Sequence, residues 1–223
     1  MSSPKFLVFE HIADLARALS SPQRLELLDH ISQGERSVEA LAALSGMSEA
    51  NTSHHLKQLR QAGLIQSRRS GKNVIYQLGG ASPDAILAAL RAHVEASRAE
   101  VQTIISDYYE RLDAMEPVKR NILLERMAHD EVVLLDVRPQ DEYRLGHIPG
   151  ALNITLADLE QKLANMPLDR EIVAYCRGPY CVLSFEAVAL LRRKGFHARR
   201  LEDGLPEWRA AGLAVEAETA QIR

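Results

Sequence analysis

The chain has 223 residues, with 27 Lys and Arg against 30 Asp and Glu and a formal charge of −3, which suits one large domain or two small ones. An apolar content of 46% is that of an ordinary globular protein, and the near-balanced charge excludes a histone-like polycation. Any nucleic-acid binding must therefore come from a local basic face.

Residues 1–9 lack a basic stretch followed by a long apolar core, so no signal peptide is expected. No apolar run approaches bilayer length, so no membrane partner is expected and a cytoplasmic location follows by default. The two cysteines, Cys176 and Cys181, share one short segment. A secreted disulfide scaffold spreads its cysteines along the chain, so this pair points to thiol chemistry.

Residues 1–80 carry helical periodicity and end in a hairpin pattern. Ser21-Pro22 caps a helix running to about Ile31. Ser37 caps a second helix over Val38 to Leu44, Gly46 breaks the chain, and Ser48 caps a third helix. Two short helices joined by a tight glycine turn make a helix-turn-helix. In the third helix Leu56 and Leu59, with Leu64 beyond it, point inward. Ser48, Asn51, Ser53, His54, Lys57, Gln58 and Arg60 are left as candidate contacts to DNA, since short polar groups followed by Lys and Arg suit base edges and phosphates. Ile65–Arg69 and Asn73–Leu78, joined by Ser70-Gly71-Lys72, read as a hairpin with a basic tip. Arg68, Arg69 and Lys72 there would set affinity more than sequence choice. His54 and His55 diverge by about 100° on a helix, so one is expected to face DNA and the other to pack locally.

The stretch Ser48 to Ile65 resembles the recognition helix of the ArsR family of winged-helix repressors, and the resemblance covers roughly residues 5–110. It implies a homodimer on an imperfect palindrome of double-stranded operator DNA, with helical ends forming the dimer interface. Metal-sensing members carry a thiolate pair in the motif's second helix, whereas Val38–Leu44 offers no soft ligand here. A second family site uses Asp and His on the C-terminal helix. Asp84, His93 and Glu95 occupy that region with poor spacing and read as a solvated face, so no metal is expected.

Residues 81–116 read as one long dimerisation or linker helix, opened by Ser82-Pro83 and carrying Ile86, Leu87, Leu90, Val94, Val101, Ile104, Ile105 and Tyr108 at helical spacing. This section holds three arginines against seven acidic residues, so it is not a DNA-binding surface.

From 117 to 223 strand-like and helix-like runs alternate, which argues for α/β with a mainly parallel sheet. Glu131–Leu135 is a buried strand leading to Asp136 and Arg138, Ile172–Cys176 is a second, and Phe196–Leu201 a third. Cys176 stands where a strand passes through a short loop, Arg177-Gly178-Pro179-Tyr180-Cys181, into a helix from about Val182 to Lys194. Loop N–H groups and a helix N-terminus stabilise negative charge there, lower the thiol pKa and make the thiolate a nucleophile. Arg177 adds positive potential.

Leu134–Arg138 with Gly146–Ala151, the Cys176 loop and the Trp208-containing tail resemble a single-domain rhodanese over about 118–217. The resemblance implies that Cys176 accepts sulfur and that residues 176–181 cradle it. Phosphatases on the same fold use a loop one residue longer that ends in arginine, so phosphoester chemistry is disfavoured. A basic residue is frequent at the sixth loop position, but here it is Cys181, and Pro179 removes one N–H; both should weaken thiosulfate binding. Cys181 either resolves a modified Cys176 or is a small residue at the helix start. Asp136, Arg138, Glu142 and His147 are expected to fix loops, and Trp208 to pack.

The fold class is thus two domains, a mainly-α winged helix-turn-helix followed by an α/β rhodanese-like domain. The functional expectation is a repressor that senses reactive sulfur or redox state through Cys176, its partners being operator DNA, a second copy of itself, and a sulfane sulfur donor or small thiol. The alternative is a sulfurtransferase carrying an independent DNA-binding domain. No cofactor is expected.

Overall fold

The computed structural model describes residues 3–79, 83–110, 116–163 and 169–218, in two units, Met1–Pro83 and Asp84–Arg223.

In the first unit, helices α1 (Pro4–Leu19), α2 (Pro22–Ser32), α3 (Val38–Ser45) and α4 (Glu49–Gln61) pack with a small antiparallel sheet of β1 (Arg36–Ser37), β2 (Ile65–Ser70) and β3 (Asn73–Leu78), in the order β1-β3-β2. Two of the caps expected from sequence are present, the Ser37 hydroxyl accepting from Ala40 N and the Ser48 hydroxyl from Asn51 N, both at 3.3 Å, whereas the Ser21 hydroxyl makes no cap and donates to the Gln23 side chain instead. The two caps satisfy N–H groups that the first helical turn leaves unpaired. Gly46 ends α3 at φ 66°, a left-handed conformation in which a Cβ would crowd the next carbonyl. Leu27, Leu28, Ile31, Leu41, Leu56, Leu59, Leu64 and Ile65 form the core. Helix α1, which the residue pattern did not single out, leaves Phe6, Leu7, Val8, Phe9 and Ile12 exposed.

The hairpin register pairs Ser70 with Asn73, so the turn is Gly71-Lys72 alone, two residues rather than the three expected. Strand β1 is only two residues long and carries no period to detect.

In the second unit, the expected single helix of the connector is interrupted. Helix α5 (Pro83–Ser97) stops at Arg98, which is extended and opens α6 (Ala99–Ile104), and a π-helical turn follows over Ile105–Glu110. The Gln102 side chain donates to the Glu95 carbonyl, satisfying an acceptor that the break frees. Ser82 and the 111–115 end of the expected helix lie outside the described residues.

Beyond the connector come α7 (Arg120–Ala128), β4 (Val132–Asp136), α8 (Gln140–Leu145), β5 (Leu152–Asn153), α9 (Leu156–Lys162), β6 (Glu171–Tyr175), α10 (Val182–Arg193), β7 (Ala198–Arg200) and α11 (Leu205–Ala210). The strands form a parallel sheet in the order β5-β4-β6-β7. Alternation along β4 and β6 sends Val133, Leu135, Ile172, Ala174 and Cys176 to the face covered by α9 and α10. Val132, Leu134, Val173 and Tyr175 go to the other face, under α7 and α11 with Leu123, Leu205 and Trp208. Both faces are covered, so the strands read as continuous apolar runs.

Candidate functional site

Two places carry the residues singled out from sequence. The first is α4 with the β2–β3 hairpin. Ser48, Asn51, Ser53, His54, Lys57 and Arg60 are exposed along α4, while Thr52, Leu56 and Leu59 are buried beneath them. Between Ser48 and Leu78 there are five basic residues and one acidic, Glu49, so the local face is basic within a chain of net charge −3. Gln58 is half-buried: its amide oxygen accepts from Arg24, and its amide nitrogen lies 3.0 Å from His54 Nε2. Arg60 donates to the Ser67 hydroxyl at 3.2 Å, tying α4 to the hairpin. Arg69 and Lys72 are exposed, whereas Arg68 is paired with Glu35. His54 is outward and His55 half-buried, the division expected for neighbours on a helix. Burial, with the Arg24 charge beside it, pushes the His55 pKa down.

The second place is the loop from β6 to α10. Cys176 is buried at the end of β6 and Cys181 stands at the N-cap of α10, partly buried. The two are joined by a disulfide, with Cα atoms 6.1 Å apart, inside the span a disulfide can bridge. A turn in which Cys181 N donates to Gly178 O (3.1 Å) curls the loop, and Ser184 Oγ donates to Cys181 O at 3.1 Å. Pro179, which was expected to subtract an N–H, lines a cavity of about 450 Å³ with Arg91 and Glu95 of α5, Arg120, and Asp203 and Glu207.

Arg177 is turned onto Glu142. Its Nε donates to the two carboxylate oxygens at 3.1 and 3.0 Å, and Nη2 to Oε1 at 2.7 Å. The positive potential expected of Arg177 at the sulfur is thus offset by a buried carboxylate, and the pair anchors the loop to α8. Beneath lies a fully buried network. Arg138 reaches both Asp136 oxygens, with Nη2–Oδ2 at 2.6 Å, and also donates to Gly146 O at 2.7 Å. The Tyr175 hydroxyl donates to Asp136 Oδ2 at 2.6 Å and accepts from Ile148 N at 3.0 Å. Asp136 and Arg138 therefore tie the end of β4 to Gly146 and to Tyr175 at the end of the cysteine strand. Burial first, then the Asp136 charge, raises the Tyr175 pKa far above the usual phenol value. His147 stacks on Tyr143 at 3.7 Å and its Nδ1 pairs with Tyr143 O at 2.8 Å. Trp208 is buried in the core, donating from Nε1 to Ala214 O at 2.9 Å.

Sequence reasoning missed the groups that surround the loop from a distance along the chain. Gly204 lies against the backbone of Arg177 and Gly178 so closely that a Cβ there would collide with main-chain atoms. Glu207 accepts from Gly204 N at 3.0 Å and from Arg91. Glu95 accepts from the Tyr180 hydroxyl. Asp84, read as part of a solvated face, is instead buried and accepts from Arg209 at 2.8 Å, whereas His93 is exposed. Gly204-Leu205-Pro206-Glu207 carries the one local signal, a carboxylate three residues after a helix start.

A basic helix-turn-helix with a hairpin wing, joined to a parallel sheet bearing a cysteine loop at the head of a helix, defines a DNA-reading unit fused to a rhodanese-like one. Family comparisons match the same two parts: the bacterial regulatory protein arsR family over residues 21–67, and the rhodanese-like domain over residues 120–211. The HTH-type transcriptional regulator Rv0324 of Mycobacterium tuberculosis is 40% identical over 215 residues, covering 96% of this chain and 94% of that protein. A sulfurtransferase of Allochromatium vinosum is 33% identical over 97 residues, 43% of this chain and 89% of its own. The HTH-type regulator YgaV of Escherichia coli is 35% identical over 83 residues, 37% of this chain and 84% of its own. The chain belongs to the ArsR family of HTH-type transcriptional regulators, as a member with a C-terminal rhodanese-like domain.

Proposed function

We propose that this regulator reads reactive sulfur or redox state through Cys176, with Cys181 as the resolving thiol. The observation that carries the reading is that both cysteines of the chain lie in one loop at the head of α10, close enough to be bonded. The chemistry balances with a sulfane donor of the hydropersulfide class. The Cys176 thiolate takes the outer sulfur of RS–SH, releasing RS⁻ and leaving Cys176–S–SH. The Cys181 thiolate then attacks Cys176 Sγ, forming the disulfide and expelling HS⁻. Two thiols are oxidised and one sulfane sulfur is reduced to sulfide.

The DNA side rests on α4 and the hairpin, with Asn51, Ser53, His54, Lys57 and Arg60 toward bases and phosphates and Arg69 and Lys72 on the backbone. A twofold operator requires two copies. The exposed apolar residues of α1 and of the connector, Leu90 and Val94 among them, are surfaces that self-association would bury.

The test is operator affinity of the reduced protein before and after polysulfide treatment, with Cys176→Ser and Cys181→Ser beside it. A shift in wild type that is absent in Cys176→Ser supports the sensor, and unchanged affinity in wild type refutes it. A second reading, sulfur transfer by Cys176 as an enzyme, is favoured by the strand-to-helix placement of the thiol. Turnover from a sulfane donor to a small thiol, abolished by Cys176→Ala, would support it.

A further inference from the structure

The connector and the cysteine loop meet through a small set of side chains. On α5, Arg91 and Glu95 are four residues apart and so share one stripe of the helix. Glu95 accepts from the hydroxyl of Tyr180, the residue next to Cys181. Arg91 pairs with Glu207, whose carboxylate also holds Gly204 N, and Gly204 lies against the main chain of Arg177 and Gly178. From the π-helical turn, the Tyr109 ring packs on Tyr180 at 5.6 Å and on Phe185 of α10 at 5.2 Å between centroids. Tyr180 is thus held between two parts of the connector while its neighbour makes the disulfide. The next stripe of α5, Leu90 and Val94, is exposed.

Single π turns are rare in helices and sit frequently at functional sites. Making or breaking the Cys176–Cys181 bond changes the constraint on the loop that carries Tyr180. Two arrangements of the loop would then favour two arrangements of the connector, which is what coupling demands.

We propose that Tyr180, gripped by Glu95 of α5 and Tyr109 of the π turn, is the positioning residue through which the redox state of the Cys176–Cys181 pair is passed to the connector. The proposal rests on the sensor reading only in giving that transfer a purpose, because the coupling itself is a property of the Asp84–Arg223 unit. By reciprocity, the connector also sets how readily the disulfide is reduced.

The test uses the full chain, oxidised or reduced with dithiothreitol, a dithiol that supplies both electrons and closes to its own cyclic disulfide. Amide hydrogen exchange over residues 91–109 is compared between the two states in wild type, Tyr180→Phe and Glu95→Gln. The thiol–disulfide equilibrium of each is measured against dithiothreitol. Exchange over 91–109 is expected to differ between states in wild type and to lose that difference in both variants, with the equilibrium moved by roughly fivefold or more. A merely structural Tyr180 would alter exchange equally in both states. Identical exchange in the two states of wild type, or variants that keep the wild-type difference and equilibrium, overturns the proposal. If 91–109 responds while DNA affinity does not, the coupling stands and the sensor reading falls. If DNA affinity responds while 91–109 is silent, the reverse holds.

Discussion

Replacing Arg138 by Met tests whether the buried network supports the cysteine loop. Arg138 and Asp136 are both fully buried, joined by contacts of 2.6 to 3.1 Å. The change leaves Asp136 as a buried carboxylate with its cation removed, a loss of about 3–5 kcal/mol, and strips Gly146 O of a donor, a further ~1 kcal/mol. These terms overlap, so about 4 kcal/mol is expected, a large part of the 5–15 kcal/mol that holds a typical domain together. Asp136→Asn together with Arg138→Met removes the stranded charge and should recover about 2 kcal/mol. Trp208 is the chain's single tryptophan and is buried in this unit, so its fluorescence during urea unfolding reports this unit alone. A single-variant loss below about 1 kcal/mol, or a double variant no better than the single, would refute the reasoning.

Gly204→Ala should cost about 1–3 kcal/mol by overpacking, and should also change how fast the reduced loop reacts with a thiol reagent, because the added methyl meets the Arg177–Gly178 main chain. Unaltered thiol kinetics would show that the loop does not lean on that glycine. Lys57→Ala and Arg69→Ala are each expected to weaken DNA binding alike across sequences and to lower the salt slope of log affinity by about 0.9, read from titrations at several salt concentrations. An unchanged slope would remove that residue from the phosphate contacts. Burial raises the pKa of Tyr109, Tyr143, Tyr175 and Tyr180, helped at Tyr180 by the Glu95 carboxylate. Because these folded-state values lie above the ordinary 10.0, their contribution to stability is complete below pH 10 and is lost as pH rises beyond it. A phenolate absorbance titration of the folded protein should therefore show these tyrosines ionising at higher pH than a free phenol, and reversible ionisation of all six tyrosines at pH 10 in the folded protein would contradict this.

Local signals were legible residue by residue. Ser37, Gly46 and Ser48 bracket the helix-turn-helix because caps and a left-handed turn act within four residues. The strands read at Glu131–Leu135 and Ile172–Cys176 lie within a residue of the observed Val132–Asp136 and Glu171–Tyr175, because strands covered on both faces need apolar side chains. The connector was less legible. Its apolar period continues past Arg98, yet the helix breaks there and turns π-helical. The aromatic packing of Tyr109 on Tyr180 and Phe185 joins residues 71 and 76 positions apart, which no local period records.

By itself, then, the sequence determined the helix-turn-helix with its hairpin, three strands of the parallel sheet, that Cys176 follows a strand and precedes a helix, and which face of α4 is polar. These depend on spacing along the chain, and spacing is what a sequence contains. Only the tertiary structure decided that Arg177 is matched by Glu142, that Arg68 is matched by Glu35, that Gly204 closes on the loop, and that Glu95 holds Tyr180. Each of these joins groups at least 26 positions apart, and their meeting depends on how helices and sheet pack, because the same charged residue is a free cation or half of a pair according to what the fold lays beside it.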